Sequence, residues 1–172
     1  MEDTKRTWNK KVTMKHIHAF EMFEDIEKAE NDVKVHLLKE YGSKSPLNFL
    51  LSLNFRHDIK LDLPEGMPPL DPKDMDAVSH PDFSGNLSSN IHRLKNCMTG
   101  SKLPIFKKED IFIQVLLACP LKDAEILCFA KDHALEEMYP SITAELVSTV
   151  FPAYVNKPQP MTVQPKVVKK TK

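Results

Sequence analysis

Glycine is scarce in this chain, which contains 4 glycines and 13 prolines among 172 residues. Few glycines leave few positions for positive-φ turns and for glycine-rich loops that bind phosphate, whereas prolines mark the ends of helices and strands. No window approaches the roughly 18 consecutive apolar residues of a membrane-spanning helix. The first residues, MEDTKRTWNKKVTMK, are charged and lack an apolar segment. We therefore expect no signal peptide and no membrane span.

Cysteine is also rare. Cys97, Cys119 and Cys128 form an odd set and show no CxxC spacing. This pattern favours neither a disulfide framework nor a zinc site, and it predicts a reducing, cytoplasmic compartment.

Charge is balanced over the whole chain but divided unevenly along it. Residues 1–16 hold five bases and two acids, and residues 157–172 hold five bases and no acid. The region 17–156 therefore carries 14 bases against 22 acids. Such a body lacks the clustered basic face that binds duplex nucleic acid, so any nucleic-acid contact would fall to the two basic tails. The alternative, which we favour, is that the tails are disordered solubilising segments.

Apolar residues recur at helical spacing between residues 16 and 155. The sequence predicts one compact all-α domain of about six to seven short helices over 16–155, with a basic flexible segment at 1–15 and a disordered Pro- and Lys-bearing tail at 156–172. We expect two helices within 16–41, the second capped by Asn31 or Asp32 and ended by Gly42. Further helices are expected at 45–55 (capped by Ser45), 87–100, 109–119 (led by Glu109 and Asp110), from Pro120, and from Ser141 to Pro152.

The pattern changes between the third and fourth predicted helices. The stretch HDIKLDLP alternates polar and apolar residues and predicts a short extended segment that ends at Pro64. Residues 65–85 contain few apolar residues at a regular spacing, and we expect them to form a loop.

No stretch presents the residues of an enzyme or a metal site. Seven acids and two histidines lie between His57 and Asp82, but DPKDMDA lacks the central glycine and distal glutamate of an EF-hand loop. GSKS at 42–45 lacks the upstream glycine of a phosphate-binding loop. Cys128 and His133, five positions apart, do not face each other well on a helix. We predict no catalytic residue, no metal site and no cofactor, and hence a protein that is not an enzyme. The alternative is that the acidic stretch at 57–82 binds Mg²⁺ or Ca²⁺, as a metal-dependent hydrolase would require.

The stretch LDLPEGMPPLDP at 61–72 is the most unusual in the chain. Its prolines fix φ near about −65°, and Gly66 suits the positive-φ position of a type II turn. Such a rigid stretch either separates two helical layers, which we favour, or presents Met67 and Leu70 as a recognition loop. The candidate binding residues are Pro64, Glu65, Gly66, Met67, Pro68, Pro69 and Leu70.

Two segments carry a resemblance to a known family. The first, LLKEYGSKSPLNFLLSLNFRHDIKLDLPEGMPPLDP, combines a helix ending in Tyr and a turn, a helix begun by Pro, and an extended stretch into LPEG-x-PP. The second, IFIQVLLACPLKDAEILCFAKDHALEEMYPSITAELVSTVFP, combines a Leu-rich helix, a DAE-type helix and a final helix ending in FP. Over about residues 23–155 the chain resembles a small uncharacterised family of tailed bacteriophages, chiefly T-even-like phages and cyanophages. The residues that match are Leu38, Tyr41, Pro46, Phe55, Leu63, Pro64, Glu65, Gly66, Pro68, Pro69, Phe112, Gln114, Leu116, Asp123, Ala124, Lys131, Leu135, Tyr139, Ile142, Leu146, Val147, Phe151 and Pro152.

The resemblance implies a phage origin and the host-cell cytoplasm as the site of action. It supplies no catalytic residue, because the family has no established activity. We therefore expect a non-enzymatic phage accessory protein that binds a host or phage protein during infection. The alternative is a nucleic-acid-associated replication or transcription accessory that uses its basic tails.

Overall fold

The computed structural model of the chain describes residues 18–80 and 85–154. The segments predicted at 1–15 and 156–172 lie outside the described residues. Within the described part the chain is all-α, as predicted, and its β-type pairing is limited to one isolated bridge between Leu61 and Met98. None of the helices there combines the length and the apolarity needed to cross a membrane.

The described residues form nine α-helices and one 3₁₀ helix, more than the six to seven predicted. In chain order they are α1 Ala19–Lys28, α2 Asn31–Gly42, α3 Leu47–Phe55, α4 Pro72–Ser79, α5 Leu87–Asn90, the 3₁₀ helix Ile91–Cys97, α6 Ile105–Leu116, α7 Leu121–Lys131, α8 Leu135–Met138 and α9 Ala144–Val150. The difference arises because α4 and α8 were not predicted, and because the helix expected at 87–100 is divided into α5 and the 3₁₀ helix.

Helix α3 lies at the centre of the core. Its sequence, LNFLLSLNF, is apolar on several faces, and Leu47, Leu50, Leu51 and Leu53 have no exposed surface. This helix packs against α7 on one side and α2 on another, which is why a one-sided apolar stripe would not suffice. Helix α6 packs on the 3₁₀ helix and on α7, so α3, α6 and α7 form the packed centre of the molecule.

Several predicted helix ends are confirmed. Helix α1 ends at Lys28 and α2 begins at Asn31, so the apolar pattern over 16–41 does belong to two helices. Helix α2 ends at Gly42, where a Cβ atom would lie 2.7 Å from Cε2 of Phe151. Pro120 directly precedes α7, as expected from its sequence position.

Four predicted helix starts are wrong. Neither Asn31 nor Asp32 caps α2, because Glu30 occupies its N-cap position without a side-chain bond. Ser45 does not cap α3, since Pro46 occupies the N-cap position without a side-chain bond. Helix α6 starts at Ile105, so Glu109 and Asp110 lie in its second turn and not at its positive N-terminal end. Ser141 does not cap α9: its hydroxyl donates to Glu27 at 2.6 Å, and Thr143 caps α9 by accepting from the Leu146 amide.

The loop predicted over 65–85 is partly wrong, because residues Pro72–Ser79 form α4. The Asp71 carboxylate accepts a hydrogen bond from the Lys73 amide at 2.9 Å, and Pro72 occupies the first turn, where its missing N–H is harmless. Val78 is the buried residue of this helix, which packs against α7. A single buried side chain is too little periodicity to recognise from the sequence.

Asp123 joins the beginning of α1 to α7. Its side chain is fully buried and accepts a hydrogen bond from the Phe20 amide at 2.9 Å, so it satisfies one of the free N–H groups at the start of α1. Nδ1 of His18 lies 3.6 Å from its other oxygen. Burial raises the pKa of Asp123. We interpret this carboxyl as a structural link between two helices.

Candidate functional site

The proline loop, which we define as residues 61–71, begins with a short extended segment, as predicted. The Asp62 amide donates to the Cys97 carbonyl at 2.8 Å, and the Thr99 amide donates to the Lys60 carbonyl at 2.9 Å. These two bonds flank the bridge between Leu61 and Met98. The first residues of the loop are therefore paired with the end of the 3₁₀ helix.

Lys108, on α6, forms an ion pair with the same segment. Its side chain is 3% exposed, and its Nζ lies 2.7 Å from Oδ2 of Asp62, whose side chain is 57% exposed. The Cys97 thiol donates a hydrogen bond to the backbone carbonyl of Lys108. Lys108 is therefore bonded through its side chain to the loop and through its backbone to the end of the 3₁₀ helix. A buried ammonium group requires such a partner, because an unpaired buried charge is strongly unfavourable.

Lys131 and Asp132, at the end of α7, hold the middle of the loop. The buried Lys131 ammonium donates to the Pro64 carbonyl at 2.7 Å and also pairs with the Asp132 carboxylate. Asp132 in turn accepts from the Gly66 amide at 2.8 Å. The backbone of the loop is thus bonded at two successive points to one end of a core helix.

Gly66 has φ +78°, which confirms the positive φ predicted for this position. A Cβ atom at Gly66 would meet nothing within 4 Å. Glycine is therefore favoured here by backbone conformation and not by lack of space.

The side chains of the loop are less buried than its backbone bonding would suggest. Met67 is 36% exposed, whereas Leu63 and Leu70 are half-buried. Pro64, Glu65 and Pro69 are exposed and Pro68 is half-buried. A simple spacer should turn both Met67 and Leu70 towards the helices, and only Leu70 approaches that arrangement.

Two hollows lie beside Met67. The α6 hollow, of about 360 Å³, lies between the loop and Glu109, Phe112 and Ile113 of α6. The α7 hollow, of about 390 Å³, lies between the loop and the α7–α8 region, where Phe129 contributes an aromatic wall. Gly66 and Met67 line both hollows, so Met67 separates them. Six of the seven predicted candidate residues line the α6 hollow. The seventh, Leu70, lines neither hollow.

The charged residues that line the hollows are all acidic. Glu65 and Glu109 line the α6 hollow, and Glu125, Asp132 and Glu137 line the α7 hollow. Asp132 is neutralised by Lys131. The four glutamates have no ion-pair partner among residues 18–80 and 85–154. The site therefore combines apolar walls with a negative rim.

Sequence reasoning did not identify the two lysines as part of the site. Lys131 was noted for its match to the family pattern alone, and Lys108 was not singled out. Both are buried at helical positions that would otherwise hold an apolar residue, and this interruption is the signal that the sequence contains.

Two other sites considered from the sequence are Cys128 with His133 as a nucleophile and base, and the acidic residues as metal ligands. Burial raises the pKa of Cys128 to about 12, and His133 contacts the Asn54 carbonyl through Nδ1 at 2.7 Å. A thiol with such a pKa supplies almost no thiolate at neutral pH. In the described part of the chain, no three His, Cys, Asp or Glu side chains are grouped so that they could hold a metal ion.

Comparison with curated proteins and with solved structures gives no significant match. A family profile described as "Family of unknown function (DUF6433)" matches residues 22–137, which is more than half of the 172-residue chain. The matched region runs from α1 to α8 and includes the whole proline loop together with Lys108 and Lys131. The chain therefore belongs to the DUF6433 family, whose function is unknown.

Proposed function

We propose that this chain is a non-enzymatic bacteriophage accessory protein that binds another protein, from the host or the phage, during infection. The proposed binding site is the proline loop, with Pro64–Leu70 as its contact residues, and the proposed site of action is the host cytoplasm. The observation that supports this proposal best is the exposure of Met67 on a loop that is bonded to two helices. The Asp62 carboxylate pairs with Lys108 of α6, and the backbone at Pro64 and Gly66 bonds to Lys131 and Asp132 at the end of α7.

The physical reason is pre-organisation. A loop that is already ordered loses little conformational entropy when a partner binds, so its apolar contacts contribute more fully to affinity. Methionine is enriched at the core of protein interfaces relative to the rest of the surface, and pockets that a partner side chain can fill are where binding energy is concentrated. The three cysteines are free and buried, which is compatible with a reducing compartment.

The phage origin depends on a different kind of support. It rests on the ordered set of motifs from Leu38 to Pro152, which jointly resemble the phage family. The proposal that the protein acts during infection follows from that resemblance.

Affinity capture from infected cells with a matched pair of variants tests the binding proposal. Met67→Asp places a charge on the proposed contact surface, and Asn31→Asp places the same charge on an exposed residue of α2 that lines neither hollow. We expect the first variant to lose a partner that the wild type and the second variant retain, as identified by mass spectrometry. Identical partner sets for all three proteins would contradict the proposal.

A second candidate function is supported by the charge distribution. Residues 157–172 carry five lysines and no acid, so they could contact nucleic acid in a replication or transcription accessory. Fluorescence anisotropy with single- and double-stranded DNA tests this. Tail-mediated binding should weaken steeply with salt and disappear when residues 157–172 are removed. Absence of binding to either DNA by the full-length chain would exclude this candidate.

A further inference from the structure

We infer that the partner segment bound at the proline loop is basic and apolar: it places apolar side chains in the two hollows beside Met67 and Lys or Arg side chains against their glutamates. This inference rests on the proposed function, because it specifies the chemistry of the partner at the same site.

The lining of the hollows determines the apolar part of this partner. Phe112 and Ile113 form one wall of the α6 hollow, and Phe129 forms a wall of the α7 hollow. Because Met67 separates two hollows of similar volume, an extended segment that crosses Met67 would direct side chains into both of them. Alternate residues of an extended chain point to opposite sides, so apolar residues at suitable spacing satisfy this geometry.

The rim determines the charge of the partner. Glu65, Glu109, Glu125 and Glu137 carry four negative charges that no described base neutralises. The two lysines nearest to the loop backbone are already engaged, since Lys108 pairs with Asp62 and Lys131 pairs with Asp132. A cationic segment gains attraction from all four glutamates, whereas an acidic segment meets repulsion.

The same combination continues along α6. Ile105 is 48% exposed and Phe106 is 58% exposed, although both are large and apolar. Phe106 lies seven residues before Ile113, which places the two on one face of the helix about 10 Å apart. Glu109 and Asp110 lie between them. The apolar and acidic surface is therefore longer than the α6 hollow itself.

A second copy of this chain is a poorer occupant. A symmetric dimer would place this surface against itself, and the glutamates of both copies would then face each other. The region 17–156 also carries eight more acids than bases, which adds to the repulsion between two copies. Charge complementarity thus favours a partner of opposite sign.

Selection from a random library of twelve-residue peptides displayed on beads tests the inference directly. With the full-length wild-type chain as bait, we expect enriched peptides to combine Lys or Arg with Leu, Ile, Met or Phe. The affinity of a selected peptide, measured by fluorescence anisotropy, should fall about tenfold in the double variant Glu109→Gln, Glu137→Gln, since two charge contacts are lost. It should also weaken between 50 and 300 mM NaCl, at about the ionic strengths where exposed charge pairs become screened.

Control variants distinguish a loss of specific contacts in the hollows from a general change in surface charge. Glu30→Gln with Glu145→Gln removes two exposed glutamates that line neither hollow, and we expect this pair to leave peptide affinity unchanged. Met67→Asp should abolish binding. Enriched peptides that are acidic or uncharged, but still depend on Met67, would overturn the inferred chemistry and leave the proposed function intact. If no peptide depends on Met67, the inference fails, and capture of the same partners by Met67→Asp would show that the proposed function fails as well.

Two further outcomes would also overturn the inference. Met67-dependent dimerisation in sedimentation experiments would identify a second copy as the occupant. Replacement of Lys166, Lys169, Lys170 and Lys172 by Gln in the full-length chain tests residues 157–172 as an internal occupant. A rise in peptide affinity of about tenfold in that variant would show that the chain occupies its own site, whereas unchanged affinity supports an external partner.

Discussion

The packed helices α3, α6 and α7 and the proline loop are ordered by different interactions. The helices bury apolar side chains: Leu50 and Leu51 of α3, Leu116 of α6 and Leu127 of α7 have no exposed surface. The loop is bonded mainly through its backbone and Asp62 to Lys108, Lys131 and Asp132. Of its apolar side chains, Leu61 joins the core, whereas Leu63 and Leu70 are half-buried and Met67 remains exposed. Different residues therefore stabilise the fold and form the exposed surface of the loop, and substitutions can test this separation.

The largest expected effect lies in the packed helices. Leu116→Ala truncates a fully buried side chain in α6 and should lower the free energy of unfolding by roughly 2–5 kcal/mol. The loss combines the free energy of burying the removed atoms with the cost of the cavity that they leave. Urea denaturation followed by circular dichroism measures this change. A loss below about 0.5 kcal/mol would show that α6 is not part of the stabilising core.

Gly66 tests the backbone of the loop. Gly66→Val should lower the free energy of unfolding by roughly 1–3 kcal/mol, because φ is +78° and a β-branched residue is strained there. Gly66→Asn is the matched control, since asparagine adopts positive φ more readily, and it should lose less. Equal losses for both variants in urea denaturation would mean that backbone conformation is not the cause.

Lys131 tests the bonding of the loop to α7. Lys131→Met removes the donor to the Pro64 carbonyl and the cation beside Asp132, and we expect a loss of about 1–3 kcal/mol. Hydrogen exchange of the Gly66 amide should also become faster, because its acceptor Asp132 loses its fixed position. Lys95→Met, at an exposed position of the 3₁₀ helix, is the control. Unchanged protection of Gly66 in the Lys131 variant would contradict this role.

The smallest effect on stability is expected at Met67. Met67→Ala should change the free energy of unfolding by no more than about 0.5 kcal/mol, because the side chain is already 36% exposed. Leu70→Ala, at a half-buried position, should lower it by about 1 kcal/mol. Thermal denaturation of both variants checks the order. If Met67→Ala destabilises the protein as much as Leu70→Ala, the loop is a spacer whose side chains support the core.

Much of the fold follows from local sequence. The division of 16–41 into two helices, the end of α2 at Gly42 and the position of Pro120 before α7 were all predicted, because apolar spacing and helix-end residues act over a few positions. Helix α4 was missed because Val78 is its single buried residue. Helix starts were misplaced where the true cap, such as Thr143, lies two residues from an equally suitable Ser141.

The candidate site was predicted only in part. The proline loop and the positive φ of Gly66 were recognisable, because proline and glycine limit the backbone directly. Lys108 and Lys131 were not, since their partners Asp62 and Pro64 are 46 and 67 positions away. Nothing in local spacing indicates that a lysine on a helix will be buried and paired.

The sequence by itself determined the helical class, the positive φ of Gly66 in the loop and the acidic charge of the body, because each depends on residue type or on neighbours within a few positions. The tertiary structure alone decided that two lysines are buried beneath the loop, that Met67 separates two hollows, and that four glutamates surround them. Burial and pairing depend on which distant segments the packed helices bring together, and a single sequence does not encode that arrangement in its local pattern.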